Sequence, residues 1–384
     1  MSELAHGVGA FTVLLGAAVL VAILAQRVRV PAAVALVAIG ALVPIAPPFA
    51  FGDTLLFVFL PPLIFEASWN LDLRTLRALA GPIALLAVPG TLFTAAIVAG
   101  VLVLARALPL DSALLFGSIV AATDPVAVVA AFRTVAVPER LRTLVEAESL
   151  SNDGVALVLF GFATALAAGQ PVSVGADVLF GVLEVVGGVA IGVLLGVLCA
   201  GVLRATNASE YEVTVTIVLA YLAYIGATAL HCSGIFATAA GAIALRAAAG
   251  RVPGAITHAE DVDRAWSALA FVANAVVFIA TGLLIRPERV LHEPFLVIVA
   301  VLAVWLARAL LALLAARKRA DRITVFLAGM RGALPLALAL SLPDSIPNRP
   351  QIIDATFAVV LVTIVAQGAP LEVVLKRIYG GARS

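Results

Sequence analysis

The feature that most constrains this chain is its succession of long apolar runs. About thirteen stretches are each close to the 20 residues needed to cross a hydrocarbon core. They fall at 8–26, 30–46, 53–70, 79–105, 112–132, 143–168, 176–203, 213–230, 232–249, 265–285, 291–316, 322–342 and 353–375. Across the 384 residues, 63% are hydrophobic and 12% charged, too much apolar surface for a fold solvated by water alone. A membrane barrel would alternate apolar and polar residues, whereas these runs are apolar throughout, so the expectation is an all-α polytopic membrane protein. The first run lacks the positive flank of a signal peptide and reads as a retained span.

Charge placement orients the spans. Arg74, Arg77, Arg140, Arg142, Arg317, Lys318 and Arg319 crowd one set of alternate connections, and Lys376 and Arg377 follow the last run. The other set holds only Arg106, Arg286, Arg289 and Arg349. By the positive-inside rule, this places the amino terminus outside and the carboxyl terminus in the cytoplasm of a cell (inner or plasma) membrane. A formal net charge of +1 offers no basic face for nucleic acid. Cys199 and Cys232 sit in apolar context, and no pair among His6, His231, His258 and His292 has metal-ligand spacing. The polar stretch 251–264 reads as a solvated linker, with pH sensing as the sharper alternative.

Two runs should be discontinuous. The fifth carries Thr123-Asp124-Pro125 at its centre, and the twelfth carries Arg331-Gly332 followed by Pro335. Proline removes a backbone donor and clashes with the turn before it, so each helix should kink or unwind there. The two lie seven spans apart, and an odd offset inverts one copy relative to the other. The spacing therefore predicts two inverted six-helix repeats joined by the seventh span, a plan used by ion-coupled transporters.

Ionisable residues within spans are costly and mark function by default. They concentrate at Glu66, Asp124, Glu148, Asp153 and Arg331, and Arg308 is the other basic residue near midspan. In the sixth span, Glu148-Ser149-Leu150-Ser151-Asn152-Asp153-Gly154, the turn of about 100° per residue puts Ser149 and Asp153 on one face with Asn152 beside them. That oxygen-rich face suits a weakly held monovalent cation. Glu148 points elsewhere and needs a counter-charge, for which Arg331 is the expected partner, while Arg308 snorkels or pairs locally. The break in the fifth span frees a carbonyl at Thr123 to face a cation, and Asp124 offsets the partial positive charge of a half-helix end.

The runs Ala122-Thr123-Asp124-Pro125, Glu148 to Gly154 and Arg331-Gly332-Ala333-Leu334 resemble the sodium/proton exchanger family, in its electroneutral prokaryotic branch with the Asn-Asp motif. Phe59 to Glu66 looks like that family's third span, and Asn274 and Gly282 suit its tenth; Ser267, after Trp266, departs from the acidic residue of many relatives. The resemblance implies a homodimer with two crossed discontinuous helices, spans 5 and 12. It assigns 1–78 and 171–290 to a dimerisation bundle with its linker helix, and 79–170 and 291–384 to an ion-binding core. It makes Asp153 the carboxylate that takes cation and proton in turn, with Ser149, Asn152, the Thr123 backbone, Asp124 and Glu66 around it and Glu148–Arg331 as a structural ion pair. For Glu66 the competing reading is a side chain snorkelling at the cytoplasmic end of its span.

The implied function is secondary antiport of Na+, Li+ or K+ against H+ by alternating access. Asn152, where an electrogenic branch has Asp, implies one cation per proton. The chain is expected to be no enzyme and to need no cofactor; its partners are monovalent cations, protons and the lipid bilayer. A K+/H+ antiporter and a cation channel are the neighbouring alternatives. An intramembrane hydrolase would have only Ser149 beside Asp153, with no midspan histidine or lysine as base.

Overall fold

In the structure, a computed structural model, the described residues are 3–27, 32–42, 55–124, 137–171, 173–250, 256–284 and 293–380, together with 128, 129, 131, 132, 135 and 254. Pro125, from the expected break in the fifth span, lies outside them. Among the described residues, each apolar run contains helix. In chain order these are α1 (Glu3–Arg27), α2 (Ala32–Leu42), α3 (Leu60–Trp69, preceded by a π-helical turn at Leu55–Phe59), α4 (Leu73–Ala78), α5 (Ala80–Leu104) and α6 (Leu110–Ala121). Next come α7 (Glu139–Ala167), α8 (Val174–Leu203), α9 (Ser209–Ala229), α10 (Gly234–Ala249), α11 (Ala259–Leu284) and α12 (Pro294–Ala315). The twelfth run is two helices, α13 (Arg319–Leu327) and α14 (Ala333–Leu340). The last is α15 (Arg349–Thr363), a π-helical turn at Ile364–Gly368, and α16 (Ala369–Tyr379). Seven helical stretches among the described residues are long and apolar enough to cross a membrane, α5, α7, α12 and the run Arg349–Tyr379 among them.

The chain divides into two compact units, residues 1–53, 79–171 and 275–384 in the first and 54–78 and 172–274 in the second. The expected grouping of residues 1–78 differs, because α1 and α2 belong to the first unit. Glycine explains it: a Cβ on Gly40 of α2 would run into the Ile279 carbonyl and the backbone of Gly282, so α2 lies flat against the end of α11.

The second unit is held by a glycine seam and an aromatic stack. Gly188, Gly192 and Gly196 of α8 press on the carbonyls of Ser233, Ala237 and Gly241, where no larger side chain fits. The other side of α8 exposes Val178, Leu179, Phe180, Leu194 and Leu198, an apolar face of the kind lipid covers. Phe65 stacks on Trp266 at 4.1 Å, and the Trp266 indole donates to Thr216 Oγ1 at 3.0 Å. Trp266 is thus a core residue of this unit. Glu212, fully buried, accepts the backbone N–H groups of Thr257 and His258 at 2.8 and 2.9 Å, which ties part of the polar 251–264 stretch to α9.

In the first unit, α5 packs against α6, α7 and α12. Close approach again depends on a missing side chain: a Cβ at Gly117 of α6 would meet the Ala95 carbonyl of α5 at 2.6 Å. This packing brings the end of α6, the middle of α7 and the gap between α13 and α14 into one region.

Candidate functional site

Helix α6 stops at Ala121, and Ala122 turns to extended backbone (φ −60°, ψ 141°). The polar groups of Thr123, just past this ending, are taken up by α7. Thr123 N donates to Asn152 Oδ1 at 3.3 Å, and Thr123 O accepts the Ser149 hydroxyl at 2.6 Å. The Thr123 hydroxyl donates to Ser149 Oγ at 3.1 Å and accepts from Asn152 Nδ2 at 2.7 Å. Thr123, Ser149 and Asn152 are each at most 3% exposed. A buried polar cluster is stable only when its members satisfy one another, and these three do. The carbonyl expected to stand open toward a cation therefore already holds a hydroxyl and keeps one lone pair. Asn152 also spends its second amide proton, donating to Glu148 Oε1 at 3.2 Å.

The second break is likewise filled from outside. Arg308 Nε donates to Val325 O at 2.9 Å, Gln367 Nε2 to Phe326 O at 2.9 Å, Arg331 Nη1 to Gly329 O at 2.6 Å and Asp124 N to Met330 O at 2.9 Å. A helix end leaves its last carbonyls without partners, and here side chains and backbone from four places supply them. Glycine stands at both ends of the gap for steric reasons. A Cβ on Gly329 would collide with the Arg308 side chain, and one on Gly332 with the Asp124 carboxylate. The two breaks thus touch through Asp124, whose backbone binds Met330 and whose side chain lies on Gly332.

One expectation is overturned. Glu148 pairs with Arg308 and not with Arg331: Nη1 reaches Oε1 at 2.9 Å and Nη2 reaches Oε2 at 3.3 Å, with both side chains buried. The fork of the guanidinium matches the carboxylate, and Val325 O with Gly329 fixes the rest of the arginine. Arg331 is 1% exposed; its backbone N–H donates to Thr363 Oγ1 at 3.2 Å and its Nη1 to Gly329 O.

Asp153, one residue beyond this clasp, is left out of it. Its Oδ1 is buried and has no hydrogen-bond partner among the described residues. The structure thus gathers Thr123, Asp124, Glu148, Ser149, Asn152, Asp153 and Arg331 in the first unit. Glu66 belongs to the second, where its Oε1 accepts from Asn70 Nδ2 at 3.0 Å. Sequence reasoning passed over Arg308 as the ion-pair partner and missed Gly329, Thr363 and Gln367 altogether. Two signals were present: Arg308 is a midspan cation like Arg331, and Gln367 is an amide inside an apolar run. Among the described residues, no group of three or more His, Cys, Asp or Glu side chains could hold a metal ion, and both cysteines are free.

Comparison with known proteins bears on this arrangement. The family described as "Sodium/hydrogen exchanger, transmembrane" matches residues 14–377. The chain is 33% identical over 377 residues to the Na(+)/H(+) antiporter NhaS2 of Synechocystis sp., covering 95% of this chain and 69% of that protein. It is 32% identical to the Na(+)/H(+) antiporter NhaP of Pseudomonas aeruginosa, covering 86% and 82%. The fold is similar to that of the sodium proton antiporter MjNhaP1 from Methanocaldococcus jannaschii, with a TM-score of 0.81 at 20% identity over 99% of this chain and 100% of the other. With a family match along most of its length and relatives above 30% identity, this multi-pass membrane protein belongs to the sodium/hydrogen exchanger family.

Proposed function

We propose that the protein exchanges Na+, or Li+ or K+, for H+ across the membrane, with the Asp153 carboxylate taking the two in turn. The observation that carries the reading is the unpartnered Asp153 Oδ1 beside polar neighbours already committed to one another. A buried carboxylate oxygen without a donor is costly as an anion, so the group should be occupied by a proton or a cation. The Thr123 carbonyl and the Ser149 hydroxyl keep a lone pair each and are the neighbouring oxygens for the ion. Names of relatives support sodium as the ion: NhaS2 and NhaP are both called Na(+)/H(+) antiporters.

In this reading Asp153 releases its proton as the cation arrives, and movement of the first unit's crossed breaks carries the loaded site to the opposite side. Either occupant neutralises the carboxylate, whereas the empty charged form faces a high barrier in the hydrocarbon core, which couples the two fluxes. Asn152 adds no charge, so one cation exchanges for one proton. Homodimerisation and an outward amino terminus complete the scheme and follow from the family resemblance and the loop charges. The test is Asp153→Asn in proteoliposomes. Sodium-driven proton flux should vanish while the protein remains folded, and persistent flux in the variant would end the assignment. A leak without saturation or proton coupling in the unaltered protein would favour a channel instead.

A further inference from the structure

Asp153 and Arg331 carry opposite charges in the same unit. No ion pair joins them among the described residues, although Asp153 Oδ1 and Arg331 Nε are both buried without a hydrogen bond. In a low-dielectric interior two such groups attract strongly, so something must restrain the arginine. The guanidinium itself is tied by Nη1 to Gly329 O, and α15 with the π-helical turn after it holds the backbone that carries it. Thr363 Oγ1 accepts the Arg331 backbone N–H at 3.2 Å and is itself aimed by donating to Val360 O at 3.1 Å. Gln367, 2% exposed and within the turn Ile364–Gly368, donates to Phe326 O at 2.9 Å. One residue thus grips the far side of the unwound segment and the other its near side. Gly368 adds contact, since a Cβ there would stand 3.0 Å from Met330 Sδ. A π turn widens the helix by one residue per turn, which alters the spacing at which side chains meet a neighbour, and such turns gather at functional sites.

We infer that Thr363 and Gln367 are positioning residues that hold the segment 328–332 so that Arg331 stays off Asp153 and leaves the carboxylate to the transported cation. Arg331 is on this account an internal competitor kept at a distance. The inference rests on the reading of Asp153 as the exchange carboxylate and assigns the control of its affinity.

The experiment measures initial sodium-driven proton flux against Na+ concentration, using the full chain in proteoliposomes. Gln367→Leu and Thr363→Val keep side-chain volume and remove the grip. Each should raise the half-saturating Na+ concentration by roughly three- to tenfold as the guanidinium reaches the carboxylate. The maximal rate per folded protein should stay within about twofold, the split expected when ground-state binding alone is weakened. Thr363→Ser retains the hydroxyl and should behave as the unaltered protein. Adding Arg331→Gln to Gln367→Leu should bring half-saturation back down, a reversal that a merely structural role for Gln367 would not produce. The inference is overturned if Thr363→Val leaves half-saturation unchanged, if Thr363→Ser is as impaired as Thr363→Val, or if Arg331→Gln fails to reverse the Gln367→Leu effect. The Thr363 pair decides the matter even where Gln367→Leu does not fold. Flux persisting in Asp153→Asn would instead remove the underlying reading, so the two failures are distinguishable.

Discussion

Glu148 and Arg308 are 4% and 2% exposed and meet through two hydrogen bonds. Removing either partner strands a charge away from water. Arg308→Ala or Glu148→Gln should therefore destabilise the protein by about 3–5 kcal/mol, read as a lower midpoint of thermal unfolding in detergent. The double variant should recover part of that loss, because it leaves no uncompensated charge. At this scale the sequence was informative about which residues matter and less so about whom they touch. The cost of charge within a span singled out Glu148, Asp153 and Arg331. Depth along the chain, however, is similar for two midspan arginines. The choice between them depends on the rotation of α12 about its axis and on the bare Cα of Gly329 that gives the Arg308 side chain room.

Among the elements, the gap between α13 and α14 is the most demanding. Gly332→Ala would force a methyl group into the Asp124 carboxylate and part the two breaks. Overpacking of this kind costs about 1–3 kcal/mol, so the variant should show a depressed unfolding midpoint and a sharply reduced flux. Gly100→Ala serves as the contrast: it lies in α5 with nothing within 4 Å of the added methyl. That change should be neutral or stabilising by up to ~1 kcal/mol through helix propensity. The break itself was legible, since Arg331-Gly332 with Pro335 following cannot continue a regular helix. The π turns at Leu55–Phe59 and Ile364–Gly368 were not. Hydrophobic pattern reports which residues avoid water and is silent on whether a carbonyl pairs four or five residues ahead. For the same reason Gln367, whose role depends on that turn, left only the faint trace of an amide among apolar neighbours.

For the molecule as a whole, the sequence conveyed an all-helical membrane fold. The placement of α1 and α2 escaped it, because Gly40 and Gly282 are distant in the chain and their contact is between bare backbones. The proposed stoichiometry is a property at this scale. Exchange of one cation for one proton moves no net charge, so flux in proteoliposomes should be the same at zero and at strongly negative clamped potential. A rate that rises with potential would show that the single carboxylate of the Asn152-Asp153 pair is not the whole charge count. The first unit is also assembled from three separate stretches of chain, with the second unit's main segment lying between two of them. During synthesis Glu148 emerges 160 residues ahead of Arg308. At about 5–20 residues per second, the delay is on the order of ten to thirty seconds. For that interval the newly made helix carries an acid whose arginine mate has not yet been synthesised.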